Sequence, residues 1–266
     1  MIKLVALDLD NTLLTNDKKI SQVNEQALKK LMAKGVKVVL CTGRPINAIW
    51  HYIEQLGLTN DDDFTITFNG ALVINNTSRE ALAKQGLTKT DLVPLHDFCE
   101  AKGFPMDVLD FDQVYPVTDL VKSIYQLGGG IKFAPMTFDK LPDHLYAKVV
   151  AAQEPAVLDK MIAALTPELH EQYHIARSQP HILEFLSTTT DKSVGLHALL
   201  QHFGWDESNL MAFGDAENDA GMLKAASVGV AMANAIPEIT AITNYHTGTN
   251  EEDGVATFVD EYFKLS

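Results

Sequence analysis

The chain has 266 residues, enough for one large domain or two moderate ones. Hydrophobic residues make up 46% and charged residues 21%, the balance of a globular chain and not of a disordered or collagen-like one. Thirty-five acidic residues against 21 basic give a formal net charge of -14, which argues against nucleic acid and anionic membranes as partners and demands local positive charge wherever an anion binds.

No stretch approaches the roughly 20 apolar residues that a bilayer span needs. The apolar start runs into Asp8 without the basic region or small-residue cleavage site of a secretory leader. Cys41 and Cys99 are too few and too far apart for a disulfide framework, so reduced thiols and a cytoplasmic location are expected.

In chain order, residues 2–7 (IKLVAL) read as a buried strand that the polar Asp8 and Asp10 end. Residues 22–34 read as an amphipathic helix between an N-capping Ser21 and a terminating Gly35. A second buried strand (36–41), a helix (46–56, stopped by Gly57) and a third strand (64–68) follow, and Asn69-Gly70 marks a hairpin turn into ALVI. This alternation is the βαβ rhythm of a parallel sheet covered by helices, whose ligands gather at the carboxyl ends of the strands.

From about residue 84 the strands follow one another more closely. A helix near 92–103, paired strands within 104–117, strands at 146–153, 172–178 and 181–186 and a helix at 156–165 predict an α+β unit with an antiparallel sheet. The Gly128–Gly130 run predicts a flexible loop. The βα rhythm returns with a helix at 192–203, a strand at 209–213, a helix at 217–226, a strand at 227–232, a short helix from Pro237 and a last helix over 254–264. The predicted fold is α/β: a Rossmann-like, doubly wound parallel-sheet core (1–83 and 189–266) carrying an inserted α+β cap domain (84–188).

Three places at strand ends carry candidate chemistry. The first is DLDNTLL, where Asp8 and Asp10 at i and i+2 face one spot if the chain stays extended. Such a pair is either a solvated loop or helix cap, or else a hard-cation site, a nucleophile, or both. The second is CTGR, in which Thr42 offers a hydroxyl, Gly43 an approachable backbone and Arg44 a fixed cation, either a plain turn or a phosphate cradle. The third is GDAENDAGML, which places Asp215, Asn218 and Asp219 after a buried strand. Carboxylates gathered at neighbouring strand ends repel one another, and Mg²⁺, which takes oxygen ligands and keeps exchangeable waters, would reconcile them. Lys192, opening the returning helix, could supply a second cation.

Taken in order, DLDNTLL, CTGR, Lys192 and GDAENDAGML resemble the four signature motifs of the haloacid dehalogenase-like phosphohydrolases, and the Cof-type, sugar-phosphatase-like subfamily in particular. TFNGALV (67–73), VGVAMANA (228–235) and NEEDGVATF (250–258) look like further stretches of that subfamily. The resemblance implies a Mg²⁺-dependent phosphatase acting on small phosphomonoesters, with sugar phosphates the first substrate class. It implies Asp8 as nucleophile, forming an aspartyl-phosphate, and Asp10 as the acid that protonates the leaving alcohol and then the base that activates water. It implies Asp8, the backbone carbonyl of Asp10, Asp215 and Asp219 around the metal, and Thr42, Gly43, Arg44, Lys192 and Asn218 around the phosphoryl group. Lys132, His181 and Arg44 are candidate contacts to the rest of the substrate.

Two positions depart from the family pattern. Asn11 and Ser193 stand where glycine is common, and asparagine tolerates the left-handed backbone that such a turn needs. Three other readings stay open: a phosphomutase or phosphotransferase of the same superfamily, a non-catalytic sugar-phosphate-binding regulator, and a signalling receiver, for which the chain is about twice too long.

Overall fold

The computed structural model describes residues 1–126 and 132–265, so the Gly128–Gly130 loop lies outside the described residues. The chain folds into two compact units, one of residues 1–83 with the chain from 191 onward, the other of residues 84–190. The first passage runs β1 (Leu4–Leu7), α1 (Gln22–Ala33), β2 (Lys37–Cys41), α2 (Ile46–Leu56), β3 (Phe64–Thr67), β4 (Leu72–Asn75) and β5 (Ala81–Lys84). Within the second unit follow α3 (Lys89–Lys102), β6 (Asp107–Leu109), β7 (Gln113–Pro116), β8 (Lys132–Phe133), β9 (Lys148–Ala152), α4 (Pro155–Ala164), α5 (Pro167–Gln172), β10 (Tyr173–Gln179) and β11 (Ile182–Ser187). The return passage is α6 (Lys192–His202), β12 (Leu210–Gly214), α7 (Ala220–Ala225), β13 (Val228–Ala231), α8 (Pro237–Ile242), β14 (Tyr245–His246) and α9 (Gly254–Phe263).

The first unit is built on one sheet of order β14-β13-β12-β1-β2-β3-β4-β5. From β14 to β3 every pairing is parallel, and β4 then pairs antiparallel with β3. Strand order runs outward in both directions from β1, so the reversal falls between β1 and β12. In doubly wound sheets the crevice outside the carboxyl ends at that reversal is the binding position. Apolar side chains alternate along the strands: Leu4 and Ala6 of β1, with Leu210 and Ala212 of β12, pack against Leu196, Leu199 and Leu200 of α6 and Met222 and Leu223 of α7. Their neighbours Val5 and Leu7 are fully buried as well, as a sheet covered on both faces requires.

Local signals fix the helix ends. The Ser21 hydroxyl accepts from the Asn24 amide at 3.0 Å at the start of α1, and Gly57 closes α2 in a left-handed conformation at φ 72°. Two elements differ from expectation. The hairpin between β3 and β4 turns through four residues, 68–71, because Thr67 pairs with Leu72; Phe68, Asn69 and Gly70 all have positive φ. A Cβ on Gly70 would lie 2.0 Å from the Asp191 carbonyl oxygen, so only glycine lets this turn rest on the start of α6. The helix expected over 217–226 is a single tight turn at Glu217–Asp219 followed by α7, because the Asp219 carboxylate folds back onto the backbone.

The second unit carries a six-stranded sheet of order β10-β11-β9-β6-β7-β8, antiparallel except for the β7–β8 pair. One face packs Val108, Tyr115, Val149, Leu183 and Phe185 against Leu92, Leu95 and Phe98 of α3 and Leu158 and Met161 of α4. The helix α5 and the short strands β5, β8 and β14 were not expected. Their sequences are brief and largely polar or exposed, so no hydrophobic period marks them.

Candidate active site

Parallel pairing brings the ends of β1 and β12 level, with Leu7 opposite Phe213. The Asp8 amide donates to the Phe213 carbonyl at 3.2 Å, so the residue after β1 is tied to the end of β12. Asp215 lies just beyond Gly214 at that same end. On the neighbouring edge, the Asp191 side chain caps α6 by accepting from the Ser193 amide at 2.7 Å, which sets Lys192 pointing inward. Serine at 193 supplies that amide as glycine would.

Lys192 is fully buried and stands between two carboxylates, its Nζ 2.5 Å from Asp8 Oδ1 and 2.6 Å from Asp219 Oδ1. The other Asp219 oxygen accepts from the amides of Asp215 at 2.9 Å and Ala216 at 3.0 Å. Both oxygens of Asp219 are therefore engaged by the protein. A Cβ on Gly214 would lie 2.5 Å from the Asp219 Cβ, so the close return of this turn needs glycine there. Thr12, itself completely buried, donates to Asp215 Oδ1 at 2.8 Å. Among the described residues no group donates to Asp8 Oδ2.

Asp8, Asp215 and Asp219 each offer a carboxylate oxygen within 4.8 Å of the others. Three carboxylates against the one ammonium of Lys192 leave two negative charges in a buried place. Burial accordingly pushes Asp8 up to about 8, against the pull of Lys192 and with the added repulsion of Asp219. Burial also raises Asp215 to about 6, against the hydrogen bond from Thr12. Burial would lower Lys192, but the carboxylates of Asp219 and Asp8 outweigh it and hold the ammonium protonated. A divalent cation fits this donor set in both charge and chemistry, since all three donors are oxygens and the uncompensated charge is two.

Asp10 lives in different company. The extended geometry ends at Leu7, and Asn11 turns the chain at φ 60°. The Asp10 carboxylate is gripped by Arg44, with Nε at 2.8 Å from Oδ2 and an Nη at 2.5 Å from Oδ1, and by Lys18 at 2.8 Å. Burial would raise it, but the bonds from Arg44 and Lys18 prevail and hold it below the usual carboxylate range. Among the described residues, the side chains of Asp8 and Asp10 share no hydrogen-bond partner. Arg44, expected against phosphate, is paired with Asp10 here.

Thr42 is buried at the end of β2, and its hydroxyl accepts from the Arg44 amide at 3.2 Å. Gly43 lies against the side chain of Asn69. Asn218 is exposed, and its amide donates to Asn69 Oδ1 at 3.1 Å. In the second unit Lys132 and His181 are both exposed; the carbonyl of His181 accepts from the Gln153 amide. Cys41 is a buried thiol that burial pushes well up, and Cys99 is pushed to about 12 by the same cause; both are free and inert in the manner of small apolar side chains.

Sequence reasoning missed Thr12, Lys18 and Asn69. Thr12 and Asn69 lie inside stretches quoted for the resemblance, DLDNTLL and TFNGALV, but no spacing argument joins Thr12 to a partner 203 residues away.

A sequence model of the haloacid dehalogenase-like hydrolases matches residues 5–259. This chain belongs to that family. Among its relatives, YxeH of Bacillus subtilis, which carries a phosphatase name with no substrate in it, is 34% identical over 265 residues, 98% of each chain. YitU of Bacillus subtilis, named as a 5-amino-6-(5-phospho-D-ribitylamino)uracil phosphatase, is 31% identical over 271 residues, again 98% of each chain. The crystal structure of a haloacid dehalogenase-like hydrolase from Bacteroides thetaiotaomicron matches with a TM-score of 0.83 at 27% identity, covering 99% of this chain and 100% of that one. Membership of this family, with phosphatases as relatives over the full length, makes the chain a phosphoric monoester hydrolase.

Proposed function

We propose that the chain is a Mg²⁺-dependent phosphatase of small phosphomonoesters, sugar and polyol phosphates first among them, working through a phosphoryl group held covalently on Asp8. The observation that carries this reading is the buried group of Asp8, Asp215 and Asp219 around one lysine, with its two uncompensated negative charges at the strand-order reversal. Asp8 and Asp215 would hold the ion directly, with the backbone carbonyl of Asp10. Asp219, whose oxygens are engaged by Lys192 and two amides, would hold the lysine and the Asp215 turn in place. When bound, Mg²⁺ supplies positive charge that keeps Asp8 ionised and offsets the charge of the phosphoryl oxygens.

The chain's own residues divide the chemistry. Lys192 occupies Asp8 Oδ1 and leaves Oδ2 to attack phosphorus. A bond forms from Asp8 Oδ2 to phosphorus as the bond from phosphorus to the ester oxygen breaks, and that oxygen takes a proton from Asp10. Asp10, now ionised, removes a proton from water, and the resulting hydroxide attacks phosphorus and frees Asp8. The grip of Arg44 and Lys18 favours the ionised form of Asp10 and so suits this second half. Proton donation in the first half requires that the grip loosen once substrate charge draws Arg44 away. Thr42, Gly43 and Lys192 would receive the phosphoryl oxygens, and positioning with electrostatic stabilisation would supply most of the rate.

The polyol preference is supported by YitU, whose named substrate carries its phosphate on a ribityl chain. We assign recognition of the leaving group to the second unit, which is inserted between the CTGR segment and Lys192. The test is a panel of phosphate esters with Mg²⁺, read by orthophosphate release and without any sugar bisphosphate. Release from sugar or polyol phosphates is the expected result and excludes an activator-dependent mutase. No release from any ester, with or without Mg²⁺, would refute the reading.

A further inference from the structure

The loop between β1 and α1 touches the site with its inner side. Thr12 donates to Asp215 Oδ1 at 2.8 Å and Lys18 to Asp10 Oδ1 at 2.8 Å. The Asn11 side chain adds its pull on Asp215. The backbone is irregular, with Asn11 and Lys18 both at positive φ, 60° and 59°. No ladder of strand or helix bonds sets such a path, so other groups must hold it. The outer side is held by two stretches that the chemistry leaves aside, VGVAMANA and NEEDGVATF. Asn234 Nδ2 donates to the Asn11 carbonyl at 2.7 Å. Asn250, only 4% exposed, donates from Nδ2 to the Leu14 carbonyl at 2.9 Å and reaches Asn16 Oδ1 at 3.4 Å. Its backbone N–H donates to Asn234 Oδ1 at 3.0 Å, which joins the two asparagines. Glu251 accepts from the Asn16 amide at 2.5 Å, and Asp253 from the Ser21 hydroxyl at 2.5 Å.

The holder is itself fixed. Thr249 and Glu252 close a capping box, with the hydroxyl 2.9 Å from Oε2. A Cβ on Gly254 would lie 2.3 Å from the Gly248 carbonyl oxygen, so the turn closes on itself at a glycine. We propose that Asn234 and Asn250 are positioning residues for the metal: acting through the carbonyls of Asn11 and Leu14, they fix the turn that presents the Asp10 carbonyl and Thr12 beside Asp215. The proposal rests on the Mg²⁺-dependent phosphatase reading. Asparagine suits both places, because a carbonyl can be held only by a donor and the amide brings one without charge. A lysine there would be drawn to the carboxylates, as Lys18 is drawn to Asp10. The architectural account, in which these bonds only fasten the chain's last segment to its first, predicts a loss of stability and nothing more. Asn24 supplies the comparison. It is fully buried, and its Oδ1 accepts from the Ala256 amide at 2.9 Å, a bond that fastens α1 to α9 and involves no group of residues 10–16.

Three variants separate the accounts: Asn250→Ala, Asn234→Ala and Asn24→Ala. With p-nitrophenyl phosphate, the Mg²⁺ concentration for half-maximal rate should rise about 10-fold in Asn250→Ala, the scale for groups that orient metal ligands from behind. It should rise at least about threefold in Asn234→Ala, whose exposed side chain makes one bond to the loop. In both, kcat at saturating Mg²⁺ should stay within about threefold of the wild type, because the reacting groups are untouched. The readout without turnover is Tm: a fixed, sub-saturating Mg²⁺ concentration should raise it less in these two variants than in the wild type. Asn24→Ala should lower the metal-free Tm and keep the wild-type response to Mg²⁺ in both measurements. An unchanged Mg²⁺ requirement in Asn250→Ala overturns the proposal, as does a loss of rate that saturating Mg²⁺ does not restore, or an equal change in Asn24→Ala. If Asn250→Ala does not fold, Asn234→Ala decides, and a wild-type Mg²⁺ requirement with an equal Tm increase overturns the proposal. A wild-type enzyme that Asp8→Asn inactivates, with Mg²⁺ responses that neither asparagine variant alters, would leave the phosphatase reading standing and remove this inference alone.

Discussion

Asp8 and Asp10 are two residues apart and live in opposite electrostatic worlds. Asp8 is 6% exposed among other carboxylates, and burial carries it up to about 8. Asp10 is half-exposed between a guanidinium and an ammonium, which hold it below the usual carboxylate range. The difference follows from what each faces: Asp8 looks into the crevice between β1 and β12, while Asp10 meets the loop after β2 and its own turn. Neighbouring carboxylates can be given different roles when burial and partners push their proton affinities apart. On the proposed mechanism the buried one needs a cation to act as nucleophile, and the paired one, held ionised, must give up partners to carry a proton.

The comparison can be broken from either side. Asp8→Asn should lower kcat/KM by about 10⁴-fold or more while the circular dichroism spectrum is retained, because it removes the carboxylate that the proposed mechanism uses to attack phosphorus. Turnover near the wild-type value in the purified variant would end the assignment. Lys192→Met should both inactivate the enzyme and destabilise it by about 3–5 kcal/mol, since it strips the cation from two buried carboxylates; a denaturant midpoint equal to the wild type's would show that the lysine carries no such burden.

Metal removal tests the charge count. In the folded chain Asp8 and Asp215 bind protons more tightly than in the unfolded one. Their contribution to stability is therefore greatest at acid pH and is lost as pH rises from about 4 toward about 8. The chelator-treated protein should melt at a lower temperature near pH 8 than near pH 5.5, and Mg²⁺ should recover the loss at the higher pH, about where both carboxylates ionise. A metal-free Tm that is flat or rising across this window would contradict the account. At the mild end, Thr12→Val removes one hydrogen bond from Asp215 and should cost about 1–3 kcal/mol, read as a lower Tm and a weaker response to Mg²⁺. Lys18→Ala should be milder still, with kcat/KM changed by less than about threefold, because Arg44 keeps its two bonds to Asp10 and an exposed ion pair contributes about 0–1 kcal/mol.

Much of this molecule is legible in its amino-acid sequence. The short apolar runs of 2–7, 36–41 and 209–213 announce buried parallel strands, and their order predicts where ligands gather. Asp8, Lys192, Asp215 and Asp219 meet because each ends a strand or opens a helix at that level. What the sequence does not reveal is the partnership of groups that lie far apart along the chain. The i, i+2 argument for Asp8 and Asp10 assumes an extended chain, whereas β1 ends at Leu7, before either of them. Arg44 reads as a phosphate ligand because nothing in CTGR reveals that Asp10 is within its reach. The resemblance implies Asn218 as a phosphate contact, and nothing in the sequence pairs it with Asn69, 149 residues away. The elements β5 and β14 are edge strands of two to four residues, too short for a hydrophobic period to register.

The division of labour between the two aspartates is tested most directly by Asp10→Asn with p-nitrophenyl phosphate and Mg²⁺, quenched in acid after a single turnover. Nitrophenolate leaves without a proton, so the first half needs no acid while the second still needs its base. The account predicts a burst of nitrophenolate close to one per chain, with the phosphoryl group retained on the peptide that contains Asp8. Nitrophenolate released together with free phosphate and no label on the protein, or label on a peptide that lacks Asp8, would contradict it.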